Sequence, residues 1–338
     1  MKRVLLVLAA LVVIAAGAIE WVLADYTAPG PAARHGSETV VLIKPGIGLS
    51  GIARALGEAG VVERSDVFQV AVRLNGKTAE LKAGEYAIPS RASMRDITDI
   101  LILGRSIQHK LTVAEGLTSR MAFDIVRSDP VLVGDPGTVP AEGALLPETY
   151  VFTRGESRAH MIEIMEHDRN VLLDKLWRNR ATGLPLKNEE EAVILASIVE
   201  KESALPEERR HIASVFLNRL RLGMKLQSDP TIIYGITQGY PLGRGIRQSE
   251  IDRPTPYNTY AIAGLPPGPI CNPGKDSLEA VLDPENTKDL YFVADGTGGH
   301  VFAATADEQA KNVAKWRKIE RQQSGAPPTT DDRHKRRR

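Results

Sequence analysis

The sequence predicts an α+β chain made of an amino-terminal transmembrane helix, a small compact module and a larger mixed α+β domain. Three observations predict it. An almost uninterrupted apolar run opens the chain from Val4 to Ile19, a strand, two helices and a strand follow within residues 39–105, and helical stripes then alternate with Pro- and Gly-rich loops over residues 106–320.

Lys2 and Arg3 precede the apolar run, and Trp21, Val22 and Leu23 extend it past Glu20. Counted through Ala24, it is long enough to cross a bilayer at about 1.5 Å per residue. Basic residues before it and Glu20 and Asp25 after it predict a cytoplasmic amino end and an exported body. Ala16-Gly17-Ala18 fits the cleavage site of a signal peptide, but the apolar character continues beyond it, which favours a retained single-pass anchor over residues 1–26. The expected location is therefore the inner (plasma) membrane, with the remainder on the extracytoplasmic side.

The single cysteine, Cys271, excludes a lipoprotein anchor, an internal disulfide framework and a multi-cysteine zinc site. The seven histidines show no metal-ligand spacing, and a net charge of +1 gives no basic field for nucleic acid. No metal, organic cofactor or nucleic-acid partner is implied.

Residues 27–38, with Pro29-Gly30-Pro31 and Gly36-Ser37, read as a linker leaving the membrane. In residues 39–105, Thr39 to Ile43 is strand-like, Leu49 to Ala59 and Ser65 to Leu74 are amphipathic helices, and Gly84 to Ile88 is a second strand. Ser93 with Asp96 three residues later opens a further helix that runs to Gly104. The arrangement resembles a LysM-like module, a small domain class that binds N-acetylglucosamine-containing chains; a purely structural spacer fits the pattern as well.

In the larger domain, Ile194, Leu195, Ile198 and Val199 share one helical face, and Glu202 continues it. A carboxyl at the edge of an apolar face loses hydration, which disfavours its anion and lets it keep a proton near neutral pH, as a general acid must. The pattern alone leaves open a last-turn residue that simply reaches water beside an arginine. Pro206 opens the next helix, which carries Asn218 and Arg219 and closes at Gly223. Gln227, Ser228 and Asp229 then lead into the apolar segment Ile232 to Tyr234, a pattern also compatible with a turn before a strand. Tyr257, Asn258, Thr259 and Tyr260 combine ring faces with amide and hydroxyl groups, which suits sugars but equally suits a Pro- and Asn-rich turn. Tyr291 to Ala294 and His300 to Ala303 flank a Gly-rich turn as a β-hairpin, Thr305 to Gln322 is helical, and residues 321–338 form a basic tail expected to be disordered.

Six segments, among them Leu195-Ala196-Ser197-Ile198-Val199-Glu200-Lys201-Glu202-Ser203, Gln227-Ser228-Asp229-Pro230-Thr231, Tyr257-Asn258-Thr259-Tyr260 and Gly264-Leu265-Pro266-Pro267-Gly268-Pro269-Ile270, resemble in order the YceG-like family of endolytic murein transglycosylases. The other two are Asn218-Arg219-Leu220 and Tyr291-Phe292-Val293-Ala294-Asp295-Gly296. The resemblance implies a catalytic glutamate followed by Ser or Thr, which falls on Glu202-Ser203 and agrees with the helical-face argument. It further implies peptidoglycan glycan strands as substrate and wall-synthesis proteins as plausible partners. Leu146, Glu148 and Cys271 depart from the family pattern, at positions that touch loop packing.

On that reading Glu202 donates its proton to the bond between N-acetylmuramic acid and N-acetylglucosamine and then takes one from the muramic C6 hydroxyl, leaving a 1,6-anhydro end. Ser203, Gln227, Ser228, Asp229, Tyr257, Asn258, Thr259 and Tyr260 would hold the sugars or steady developing charge. Two rivals stand beside it: a hydrolytic muramidase using Asp229 or Glu148 as second carboxylate, and a non-catalytic, membrane-tethered wall-binding protein.

Overall fold

The computed structural model describes residues 2–203 and 205–324. These fall into two compact units, the first comprising the chain up to Lys110 with Val151–Glu156, the second Leu111–Tyr150 with the chain from Ser157 onward.

The first unit begins with helix α1 (Lys2–Thr27), long and apolar enough to cross a membrane, with its apolar side chains exposed along most of its length. Its last turn behaves differently. Tyr26 is buried and Val22 packs beside it in the core of this unit, while the Arg64 guanidinium lies 5.0 Å over the Trp21 ring and pairs with Asp25. Strand β1 (Glu38–Ile43), helices α2 (Leu49–Glu58) and α3 (Ser65–Leu74), strand β2 (Gly84–Pro89) and helix α4 (Met94–Leu103) follow. β1 and β2 pair antiparallel with Val41 opposite Tyr86, and Leu56, Phe68, Tyr86, Ile97 and Leu101 form the fully buried centre. The expected cap is present: Ser93 Oγ accepts from Asp96 N at 3.1 Å, and the Asp96 carboxylate accepts from Ser93 N at 3.0 Å.

Residues 27–38 are strapped to this module. Gly30 N donates to Arg91 O at 3.2 Å, Arg91 N to Pro31 O at 3.0 Å and Ala33 N to Ser90 Oγ at 3.0 Å. A Cβ on Gly30 would lie 2.3 Å from Ala92 O, so this close crossing of two backbones requires glycine.

Strand β3 (Gln108–Thr112) pairs with β4 (Thr149–Thr153), and α5 (Ser119–Ser128) lies between them in sequence. The second unit continues with α6 (Arg158–Arg178), α7 (Glu189–Glu202), α8 (Pro206–Arg221), α9 (Asp229–Thr237), the short α10 (Gln248–Ile251), α11 (Lys275–Leu282), hairpin β5 (Tyr291–Ala294) and β6 (His300–Ala303), and α12 (Ala306–Ser324).

Helix α7 is its axis. Every residue from Ala192 to Val199 is buried, because α6, α8, α9 and α11 all pack on it. The sequence pattern showed only one apolar face; Ala192, Val193 and Ala196 on the other sides are small or apolar enough to be enclosed too. The one polar side chain in this stretch, Ser197, is satisfied by donating to Ile194 O at 2.7 Å and accepting from Ile270 N at 3.0 Å.

The apolar segment Ile232 to Tyr234 lies in helix α9, not in a strand. Pro230 in the first turn and Asp229 at its start favour a helix beginning there, since proline needs no donor at that position and a carboxylate suits the positive end of the helix dipole. Helix α12 continues to Ser324, so the first four residues of the expected disordered tail are helical, and the rest of that tail lies outside the described residues.

Candidate active site

Glu202 is the last residue of α7. The chain turns extended at Ser203, so the carboxyl stands at the end of a buried helix. Part of its surface remains accessible, yet burial is the largest influence on it and lifts its pKa to about 7. Asp229 adds to the rise through like-charge repulsion, whereas Ser228, His300 and Arg219 favour the anion.

The partner of Glu202 comes from the start of α9. Ser228 occupies the N-cap position but makes no capping bond with its side chain; its hydroxyl donates instead to Glu202 Oε1 at 2.5 Å. Buried hydroxyls hold it there. Ser228 N donates to Thr259 Oγ1 at 2.9 Å, Thr259 Oγ1 lies 2.9 Å from Thr231 Oγ1, and Thr231 Oγ1 donates to Ser228 O at 2.6 Å. The Gln227 backbone joins the same knot, donating to Thr259 O at 3.1 Å from a left-handed conformation (φ 53°) that leaves its side chain exposed.

Arg219, which the site residues read from sequence omitted, is buried on α8 and clamps this region. It donates to Leu290 O at 2.6 Å, Leu226 O at 2.8 Å and Gln227 Oε1 at 3.3 Å, and its guanidinium lies 5.2 Å over the Tyr291 ring. Its cation acts on Glu202 through space. A sequence signal existed: an arginine three residues after Phe216, on the face of the helix that carries Ile212, Val215 and Phe216 inward, has to find partners inside.

The remaining expected residues divide by direction. Asp229 is exposed and accepts from the Tyr260 hydroxyl at 2.7 Å; burial, followed by this bond, raises the Tyr260 pKa. Tyr257 is half-buried with its ring 4.9 Å from that of Tyr234, whose hydroxyl donates to Glu142 at 3.2 Å. Asn258, expected to offer its amide to sugar, is 1% exposed: its Nδ2 donates to the backbone oxygens of Glu250, Ile251 and Arg253, and its Oδ1 accepts from Tyr260 N. The geometry therefore turns Asn258 into the fastener of its own loop. Thr259 is likewise enclosed in the hydroxyl knot. Ser203 is buried in the turn between α7 and α8, accepting from Leu205 N at 3.0 Å. These three side chains are used inside the protein because each sits where a loop backbone would otherwise lack partners.

Glu200, two residues before Glu202, faces another environment. It accepts from Gly274 N at 3.0 Å and Ser277 Oγ at 2.7 Å and pairs with the buried Arg209 at 3.4 Å. The positions that depart from the family pattern lie in loop packing: Leu146 N donates to Met165 O, the exposed Glu148 caps Thr149 N at 2.8 Å, and Cys271 is buried with its Sγ 3.4 Å from Ser197 O.

The profile of the YceG-like family matches residues 41–315. The chain is 30% identical to a protein named endolytic murein transglycosylase from Bacillus subtilis (strain 168), a match covering 85% of this chain and 87% of that one. It is 31% identical to a protein of the same name from Streptococcus pneumoniae serotype 2 (strain D39 / NCTC 7466), over 81% of this chain but 57% of the pneumococcal protein. Among solved structures, a yceG-like protein from Listeria monocytogenes superposes with a TM-score of 0.52 at 30% identity, covering 81% of this chain and 98% of that one. Such agreement in sequence and structure over most of its length places the chain in the YceG-like family.

Proposed function

We propose that this chain is a lytic transglycosylase that cuts peptidoglycan glycan strands from within, with Glu202 as its single acid and base. The observation that carries the reading is a carboxyl at the end of a buried helix whose pKa is lifted to about 7, so that near neutral pH it is present both as acid and as anion. Relatives of this chain that carry the name endolytic murein transglycosylase support the same class of activity.

The chemistry follows from the proton. Protonated Glu202 gives its hydrogen to the glycosidic oxygen as the C1–O bond breaks and positive charge builds on the sugar ring. The carboxylate left behind, steadied by the Ser228 hydroxyl and the Arg219 cation, takes the proton of the muramic C6 hydroxyl as that oxygen bonds to C1. Glu202 ends protonated, as it began, and no water is consumed. Tyr257, Tyr260, Gln227 and Asp229 are the expected residues that keep some exposed surface, and sugar contacts are assigned to them.

The strand, two helices and strand of residues 39–105 support the LysM-like reading, which would hold N-acetylglucosamine-containing chains near the enzyme. Helix α1 supports a retained anchor in the plasma membrane, with the enzyme outside the cytoplasm and wall-synthesis proteins within reach.

Mass spectrometry of purified glycan strands digested by the full chain tests the proposal. Anhydro ends, lighter by the mass of one water, are expected, and Glu202→Gln abolishes them. Reducing ends would assign the hydrolytic route, and unchanged strands the wall-binding role.

A further inference from the structure

A carboxylate–imidazole pair lies within electrostatic reach of the proposed acid. His300, the first residue of β6, is held to Glu208 of α8 by two bonds: its backbone N donates to Glu208 Oε1 at 2.8 Å, and its Nδ1 lies 2.7 Å from Glu208 Oε2. An ionised carboxylate only accepts, so Nδ1 carries the hydrogen, and Nε2 at the opposite edge of the ring is the nitrogen that takes up or releases a proton. Phe292 packs edge-on against the same ring at 5.3 Å, so the imidazole is fixed by both polar and aromatic contacts. The approach is close: a Cβ on Gly299 would come within 2.8 Å of Glu208 Oε1.

This pair connects to the site through the turn that follows Glu202. Ser203 Oγ lies 3.5 Å from the same Glu208 oxygen that holds the His300 ring. The charged groups around His300 are Glu208 from α8, Glu202 from α7 and Asp295, which accepts from Gly299 N in the hairpin turn. Beyond Phe302, His211 forms its own pair with Asp289. The charge of His300 favours the carboxylate form of Glu202.

We infer that Glu208 and His300 form a positioning dyad for the reaction, in which the imidazolium form of His300 steadies the Glu202 carboxylate that is left when its proton passes to the leaving oxygen. The inference rests on the transglycosylase reading. His300 neither gains nor loses a proton in the step; Glu202 gives one to the leaving oxygen and receives one from C6. Glu208 holds the ring in orientation and acts through it.

The test is a titration of Glu202 in the full chain in detergent micelles, read as the pH-dependent carboxyl band in infrared difference spectra, with Glu202→Gln as the blank. His300→Gln is expected to raise the Glu202 pKa by about one unit, the size of a nearby opposite charge. The falling limb of kcat against pH moves upward by the same amount, and kcat on the acid plateau drops about tenfold because a carboxyl that holds its proton more tightly gives it less readily to the leaving oxygen. Glu208→Gln gives a smaller shift in the same direction, and substitution of the exposed His160 of α6, His160→Gln, gives none. If His300→Gln fails to fold, the reciprocal measurement on a folded variant decides: linkage requires Glu202→Gln to lower the His300 pKa, followed by histidine NMR, by an equal amount. An unchanged Glu202 titration in folded His300→Gln, or an unchanged His300 titration in Glu202→Gln, overturns the inference. Failure of the transglycosylase reading would show separately, as wild-type digests without anhydro ends.

Discussion

Glu200 and Glu202 stand on the same last turn of α7, two residues apart, and their surroundings make them opposites. Glu200 meets two donors from the start of α11 and the buried Arg209, so its negative charge is satisfied by dedicated partners. Glu202 meets one hydroxyl directly, feels Arg219 and His300 from further away, and is repelled by Asp229, so burial wins and the carboxyl holds its proton up to about pH 7. Identical side chains on one helix thus become a structural anion and a proton carrier according to which neighbouring element supplies donors.

Replacing each glutamate in turn by glutamine separates the two roles. Glu202→Gln is expected to reduce anhydro-end formation roughly 10³-fold, the scale of losing a positioned acid and base, while the chain still folds with a cooperative thermal transition. The same substitution should also flatten the pH dependence of stability. A carboxyl whose folded pKa is about 7 binds more protons in the folded chain than in the unfolded one between about pH 4.5 and 7, so stability falls as pH rises through that window and levels off above it. Melting temperatures at pH 5 and pH 8, with and without the substitution, measure that slope.

Glu200→Gln is the mirror experiment. It removes a negative partner from buried Arg209, which retains Glu115 at 3.4 Å and Asp276 at 3.8 Å, and it is expected to cost about 3 kcal/mol of stability with little change in the rate of the folded fraction. Denaturant unfolding beside kcat separates the two quantities. A large rate loss with unchanged stability would mean the roles are reversed.

Smaller changes sharpen the contrast. Ser228→Ala deletes the only direct bond described for the Glu202 side chain, and it should lower kcat about tenfold while moving the falling limb of the pH profile above 7. Asp229→Asn removes a repulsion, so the same limb should move below 7 by a fraction of a unit. A shift of both variants in the same direction would contradict the electrostatic account.

Much of this arrangement was legible in the residues. The capping box at Ser93, the helices from Leu49 to Leu74, the hairpin at Tyr291 and the direction of Glu202 follow from spacing alone, because each depends on neighbours close in sequence. The role of Asn258 was not legible, since an amide after an aromatic looks the same whether it faces a sugar or the carbonyls of Glu250, Ile251 and Arg253. The hydroxyl knot of Ser228, Thr231 and Thr259 and the reach of Arg219 to Leu290 join segments that are distant along the chain. The α9 helix was partly readable: Asp-Pro before an apolar stretch is a helix opening as well as a turn, and burial against α7 favours the helix.

Tyr26 makes the end of α1 part of a folded core. Since this ring is buried in the core of the amino-terminal module and Val22 packs against that core, severing the chain just after Thr27 would remove part of that module's interior. A soluble version begun at Trp21 would keep both side chains and the stacking partner of Arg64, whereas one begun at Ala28 would open a ring-sized void and lose cooperativity on heating.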